Sequence, residues 1–159
     1  MTEQEILKGI KQYFDIKELV GEATYTKWGE RSWRFLDFRL LHTIYVIRRA
    51  LDKLMYANNW DIGGDYDERG LRTNVQEILQ DKTSKKRLYL SAHVLGKALD
   101  FIVQGMTSEE VRNWIIANQH ILPYKIRLEH KKDGKPISWV HLDIIWEEHN
   151  PKVYLFDVN

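Results

Sequence analysis

The segment from Ile126 to Ile144 constrains this chain most. Val140, Leu142 and Ile144 place an aliphatic residue at every second position, and Ile126 and Leu128 do the same on the other side of Lys132-Asp133-Gly134-Lys135. A period of two is the pattern of a half-buried strand. A polar, glycine-bearing connection between two such runs is a hairpin signal. Strands are therefore expected over residues 124–130 and 137–145. The aliphatic sets meet the core, so Trp139, His141 and Asp143 share the opposite face with Arg127 and Glu129. Keeping both aliphatic sets on one side fixes the parity of the pairing. A three-residue loop, Asp133-Gly134-Lys135, satisfies it and puts Glu129 opposite Trp139 and diagonal to His141.

The rest of the chain supplies helices to cover the aliphatic face. Leu40, Leu41, Ile44, Ile47, Leu51 and Leu54 recur at helical spacing, which predicts a long helix from an Asp37 cap to about Leu54. A short helix is expected over residues 3–13 with Thr2 as its cap. Another should follow the capping box Thr107–Glu110 and run to about Asn118. Phe14–Phe35 reads as an irregular, aromatic-rich arm laid onto the domain. Met55–Trp60 reads as a short strand, Val75–Leu79 as a short helix, residues 81–87 as a polar loop, Ala98–Val103 as a buried strand and Val153–Phe156 as a last strand. This mixed order argues for an α+β fold, a mainly antiparallel sheet with packed helices. At 159 residues the chain suits one domain, 1–159, in which residues 1–55 form an accessory helical part.

Composition removes several function classes. A formal net charge of +1 provides no basic field for nucleic acid, and the runs Lys82–Arg87 and Lys131–Lys135 read as solvated loops. With no cysteine, disulfides, thiolate catalysis and cysteine-based zinc sites are excluded. The apolar runs are too short to span a membrane, and Met1-Thr2-Glu3-Gln4-Glu5 lacks the layout of a signal peptide. Synthesis in a cytoplasm without membrane insertion is the expectation. The six tryptophans and eight tyrosines are many for this length, so some should line a groove.

The residues with site chemistry are His93 and Asp100, seven apart around Gly96, and His141 on the polar face of the hairpin. Two imidazoles and a carboxylate form the ligand set of a catalytic zinc site, which leaves a position for water. Their context narrows the reading. Ser91-x-His93-x-x-Gly96-x-Ala98-x-Asp100, followed by Trp139-Val140-His141-Leu142-Asp143, resembles the metal-binding motifs of the M15 zinc peptidases. These are D-Ala-D-Ala carboxypeptidases and dipeptidases and phage L-alanyl-D-glutamate endopeptidases, whose metal-binding fold is shared with the hedgehog signalling domain. Gly70-Leu71-Arg72-Thr73 resembles the arginine-bearing segment upstream of their first ligand. The resemblance covers about residues 56–145.

That resemblance implies a hedgehog/DD-peptidase-like fold, Zn2+ held by His93, Asp100 and His141, and hydrolysis of peptide bonds in peptidoglycan stem peptides. It implies that Arg72 binds a substrate carboxylate or carbonyl oxygen and that Ser91 lies near the substrate backbone. Trp139, and with it Trp60, is expected to wall the cleft. One position departs from the family: where several members carry an acidic general base three residues before the last histidine, this chain has Ser138. Glu129, on the face of His141, is the replacement that the strand pattern suggests. Asp143 is an alternative that could instead orient an imidazole, and Glu147, Asp67 or no base at all complete the choices. A non-catalytic zinc-containing wall-binding module, or a phage structural protein on the same scaffold, is the rival reading that Ser138 keeps open. The expected setting is a phage-type lysin reaching the wall after release, or a hydrolase carried in a virion.

Overall fold

The computed structural model of the chain describes residues 1–84, 86 and 88–159. Lys85 and Arg87, in the basic run read as a loop, lie outside the described residues. Among those described, five α-helices accompany one five-stranded sheet: α1 (Glu3–Ile10), α2 (Glu22–Trp28), α3 (Phe38–Leu51), β1 (Met55–Tyr56), α4 (Glu77–Ser84), β2 (Ala98–Val103), α5 (Ser108–Ala117), β3 (Ile126–Lys132), β4 (Lys135–Asp143) and β5 (Val153–Val158). The strand order is β1-β2-β4-β3-β5. Every pair is antiparallel except β3–β5, which is parallel. The fold is α+β with a mostly antiparallel sheet.

Local chemistry accounts for the helix boundaries that the sequence announces. Thr2 and Thr107 each complete a capping box, with Glu5 and Glu110 respectively, and so satisfy amides that a helix start leaves free. Asp37 caps α3 by accepting from the Arg39 amide. That helix stops at Leu51 because Asp52 turns left-handed, at φ 50°, and its N–H closes on the Arg48 carbonyl. Leu54 thus falls outside the helical stripe and is 49% exposed, whereas Leu40, Leu41, Ile44 and Ile47 are buried against the sheet.

Three expectations along the chain need correction. Phe14–Phe35 is not irregular: it holds a 3-10 turn at Ile16–Glu18, helix α2 and a second 3-10 stretch at Gly29–Phe35. Helices this short show no sustained periodicity and are held by packing, here through Phe14, Ile16, Leu19 and Trp33. Strand β1 keeps only two of the residues expected over Met55–Trp60, and Trp60 opens a 3-10 turn. Residues 81–84, expected in a loop, are the end of α4, which buries Leu79 alone and so shows no apolar stripe. Core residues from the first 55 positions, such as Ile10, Val20 and Leu40, lie in one buried cluster with Leu99, Phe101, Leu128, Val140 and Leu142 of the sheet.

The hairpin keeps the expected faces but not the expected register. Glu129 stands directly opposite His141, and Arg127 opposite Asp143. Lys132 pairs with Lys135, so the loop is only Asp133-Gly134, and the register shifts between Glu129 and Lys131. Residues 137–140 of β4 consequently stand across from His130. The offset assigned to a longer loop is absorbed inside the strands, as a bulge does.

Candidate metal centre

His93 is placed by a tight turn. Its neighbour Ser91 accepts from the Val94 amide at 3.4 Å, and Gly96 closes the turn at φ 67°. A side chain at Gly96 would run into the Phe35 carbonyl, and the Gly96 carbonyl accepts from the Asp37 amide at 2.8 Å. The His93 ring is then oriented by Gly70, whose carbonyl accepts from Nδ1–H at 2.8 Å. Gly70 itself lies where a Cβ would strike the Leu19 carbonyl. This fixes the tautomer: Nδ1 carries the proton and Nε2 presents a lone pair.

Asp100 and His141 face each other across β2 and β4 as direct partners. His141 Nδ1 lies 2.8 Å from Asp100 Oδ1 and 3.2 Å from His93 Nε2, and Asp100 Oδ1 lies 3.3 Å from His93 Nε2. All three residues are buried, at 2%, 7% and 8% exposure for His93, Asp100 and His141. The predicted ligands thus converge, and one ligating atom from each lies within 4.8 Å of the others.

That triangle fits a metal ion. Donor atoms about 2.0–2.1 Å from a tetrahedral zinc stand about 3.3 Å apart, close to the three separations observed. A proton on His141 Nδ1 lies between the other two donors. Burial opposes charge on His141, but hydrogen bonds to Asp100 and Asp143 outweigh it and hold its pKa up to about 9. Burial also pushes Asp100 up, yet the two imidazoles beside it hold its carboxyl well below the usual range. Burial keeps His93 below its ordinary value. The group can hold a metal ion once that one proton leaves.

Two arginine–aspartate pairs brace the ligands. Arg72 Nη2 donates to Asp100 Oδ2 at 3.1 Å, and its Nε donates to the Glu68 carbonyl at 2.7 Å. Arg72 therefore stands at the site, but against a ligand. On the other side His141 Nε2 donates to Asp143 Oδ2 at 3.1 Å. Arg127 in turn grips Asp143 with Nε and Nη2, both at 2.9 Å.

The remaining expected residues divide. Glu129 is directly abreast of His141 on β3 and half-buried, and its carboxylate makes no hydrogen bond or ion pair among the described residues. Burial raises its pKa, with the Asp100 charge adding to the effect and His141, Lys132 and Arg72 opposing it. Trp139 is half-buried, two residues before His141, in the stretch where β4 loses register with β3. Ser91 serves its own turn. Trp60 does not wall the cleft: its indole N–H donates to the Lys17 and Val20 carbonyls, both at 2.9 Å, and it ties down the N-terminal segment. The sequence placed Arg127 on the His141 face and Gly70 in the arginine-bearing segment but gave neither a role at the site, and it offered Phe156 only as the end of the last strand. For Arg127 the sequence signal was the face it shares with Glu129, His141 and Asp143; its place opposite Asp143 follows only from the observed register.

Two hollows of about 400 and 600 Å³ lie elsewhere, one lined by Tyr13, Phe14 and Trp33, the other by Tyr124, Ile144 and Trp146. Neither is lined by a residue of the triad. Compared with protein-family models, curated proteins and solved structures, the chain matches none.

Proposed function

We propose that this chain is a zinc-dependent peptidase of the M15 kind that hydrolyses peptide bonds in peptidoglycan stem peptides. The observation that carries the reading is the row Asp100–His141–Glu129 on three adjacent strands. It sets two ligating side chains beside a half-buried carboxylate that makes no hydrogen bond or ion pair among the described residues, and His93 completes the metal set. The substrate class rests on the resemblance of the motifs around His93, Asp100 and His141.

Zinc held by these three residues supplies a Lewis acid that polarises the scissile carbonyl and makes a water easier to deprotonate. Glu129 takes the water's proton and delivers it to the leaving amine, a task suited to a carboxylate whose pKa burial has raised. Arg72, whose Nη1 makes no hydrogen bond among the described residues, offers that group to a substrate oxygen while Nη2 holds Asp100. Two residues along from Asp100, Ile102 faces the same way and pairs with Tyr56; they are 40% and 42% exposed. They give an extended peptide an apolar surface beside the ligands. The place of action is then the cell wall, reached after release as a phage lysin reaches it.

Metal analysis combined with digestion of purified walls tests the proposal. The expected result is stoichiometric zinc and release of stem-peptide fragments. Glu129→Gln should retain the metal and lose about 10²–10⁴-fold in rate. Zinc without cleavage of any wall type overturns the peptidase reading in favour of a zinc-containing binding module. Full zinc content in His93→Ala overturns the site.

A further inference from the structure

We infer that Arg127 and Phe156 are positioning residues for the ligand His141, so that β5, which carries no ligand, completes the metal centre. The inference rests on the metal reading above and goes beyond it.

An imidazole can give the Nδ1 lone pair to a metal only while its proton resides on Nε2. In His141 that proton is directed at Asp143, which is fully buried, at 0% exposure. A buried carboxylate left unpaired is costly and would seek another donor by turning. Arg127 prevents the turn by occupying both oxygens in the two-point geometry that only a guanidinium provides. The Ile145 amide adds a further bond to Oδ1 at 3.0 Å.

Phe156 closes the arrangement. Register places it beside Glu129 on the parallel neighbour strand, in the same row as His141. The Arg127 guanidinium lies 4.7 Å from its ring centroid, and the ring meets His141 nearly edge-on, at 5.9 Å and 86°. His141, Asp143, Arg127 and Phe156 thus form a closed circuit in which each member limits the next. A structural ion pair alone would not require the ring that holds the arginine to abut the ligand as well.

Cobalt(II) titration of the purified full chain, read by visible absorption, tests this. Arg127→Met should weaken cobalt binding about 10–100-fold, the usual effect of removing a group that orients a ligand, and should change the intensity of the bands. Arg127→Lys should recover part of the affinity, because it restores the charge without the fork. Lys11→Met, which breaks an exposed ion pair with Glu30, should leave cobalt binding unchanged. Wild-type affinity and spectrum in a folded Arg127→Met overturn the inference while the metal reading stands. If that variant does not fold, Phe156→Leu decides: a loss of at least about threefold supports the inference, and unchanged binding overturns it. A wild-type chain that takes no cobalt overturns the metal reading and this inference with it.

Discussion

Strand β4 meets two polar clusters, one built on a buried arginine and one on buried histidines, and they solve opposite problems. Arg112 of α5 is 1% exposed, yet it is saturated: it donates to the carbonyls of Trp139 at 3.1 Å and Ile137 at 3.4 Å, and to the Glu109 carboxylate at 2.9 and 3.2 Å. It sits where β4 loses register with β3, and supplies donors to a stretch the ladder cannot serve evenly. A few residues on, His93, Asp100 and His141 turn acceptors toward a single point, where one proton on His141 is shared. The first cluster is satisfied by the chain itself. The second is satisfied by a proton on His141, but its donor atoms converge so that a metal ion could take that proton's place.

The sharpest way to break the comparison is to remove each cluster's key group and read both stability and metal content. Arg112→Met should lower unfolding stability by about 3 kcal/mol, since buried carbonyls lose their donors, while cobalt affinity stays at the wild-type value. Loss of metal binding in folded Arg112→Met would mean that the two clusters are one. Next in size, zinc at 100 times its dissociation constant should add about 2.7 kcal/mol to the unfolding free energy, and a chelator should remove it. Thermal melts of the Arg112→Met protein should show the same increment.

The smallest expected effect lies at a third, half-exposed pair. The Arg39 hydrogen bonds, against burial, hold the Asp37 carboxyl below its ordinary value. A depressed acid stabilises the fold above its unfolded pKa, and that stability is lost as pH falls through the folded value. The loss should therefore appear below about pH 4. Exposure keeps it under about 1 kcal/mol. Asp37→Asn should flatten that part of the denaturation profile, leaving the cap in place; an unchanged acid slope would show that the pair contributes nothing.

What the sequence made legible was local. The cap at Thr107, the strand Ala98–Val103 and the shared face of Arg127, Glu129, His141 and Asp143 follow from spacing alone. The convergence of His93, Asp100 and His141 was expected through the resemblance of the motifs around them to those of the M15 zinc peptidases, since the spacing alone is a weak signal. What stayed hidden depended on distant partners. Glu129 came to lie opposite His141 rather than Trp139 because the irregularity at His130 sits inside the ladder, where no turn residue announces it. Trp60 anchors Lys17 and Val20 instead of lining the cleft, a role set by chain packing across some forty residues. Gly70, which entered the sequence reading only as the first residue of the arginine-bearing segment, supplies the carbonyl that fixes the His93 tautomer, pressed from behind by Leu19.

The pairing of Asp100 with His141 has one more consequence. The two residues are 41 apart in sequence, so any ion they share ties β2 to β4 as a cross-link would, in a chain that has no cysteine to make a covalent one. Closing a loop of that length restricts the unfolded ensemble, and the restriction grows only with the logarithm of the loop. The ion would act as a removable staple, and its retention would report whether the long-range pairing at the centre of the sheet has formed.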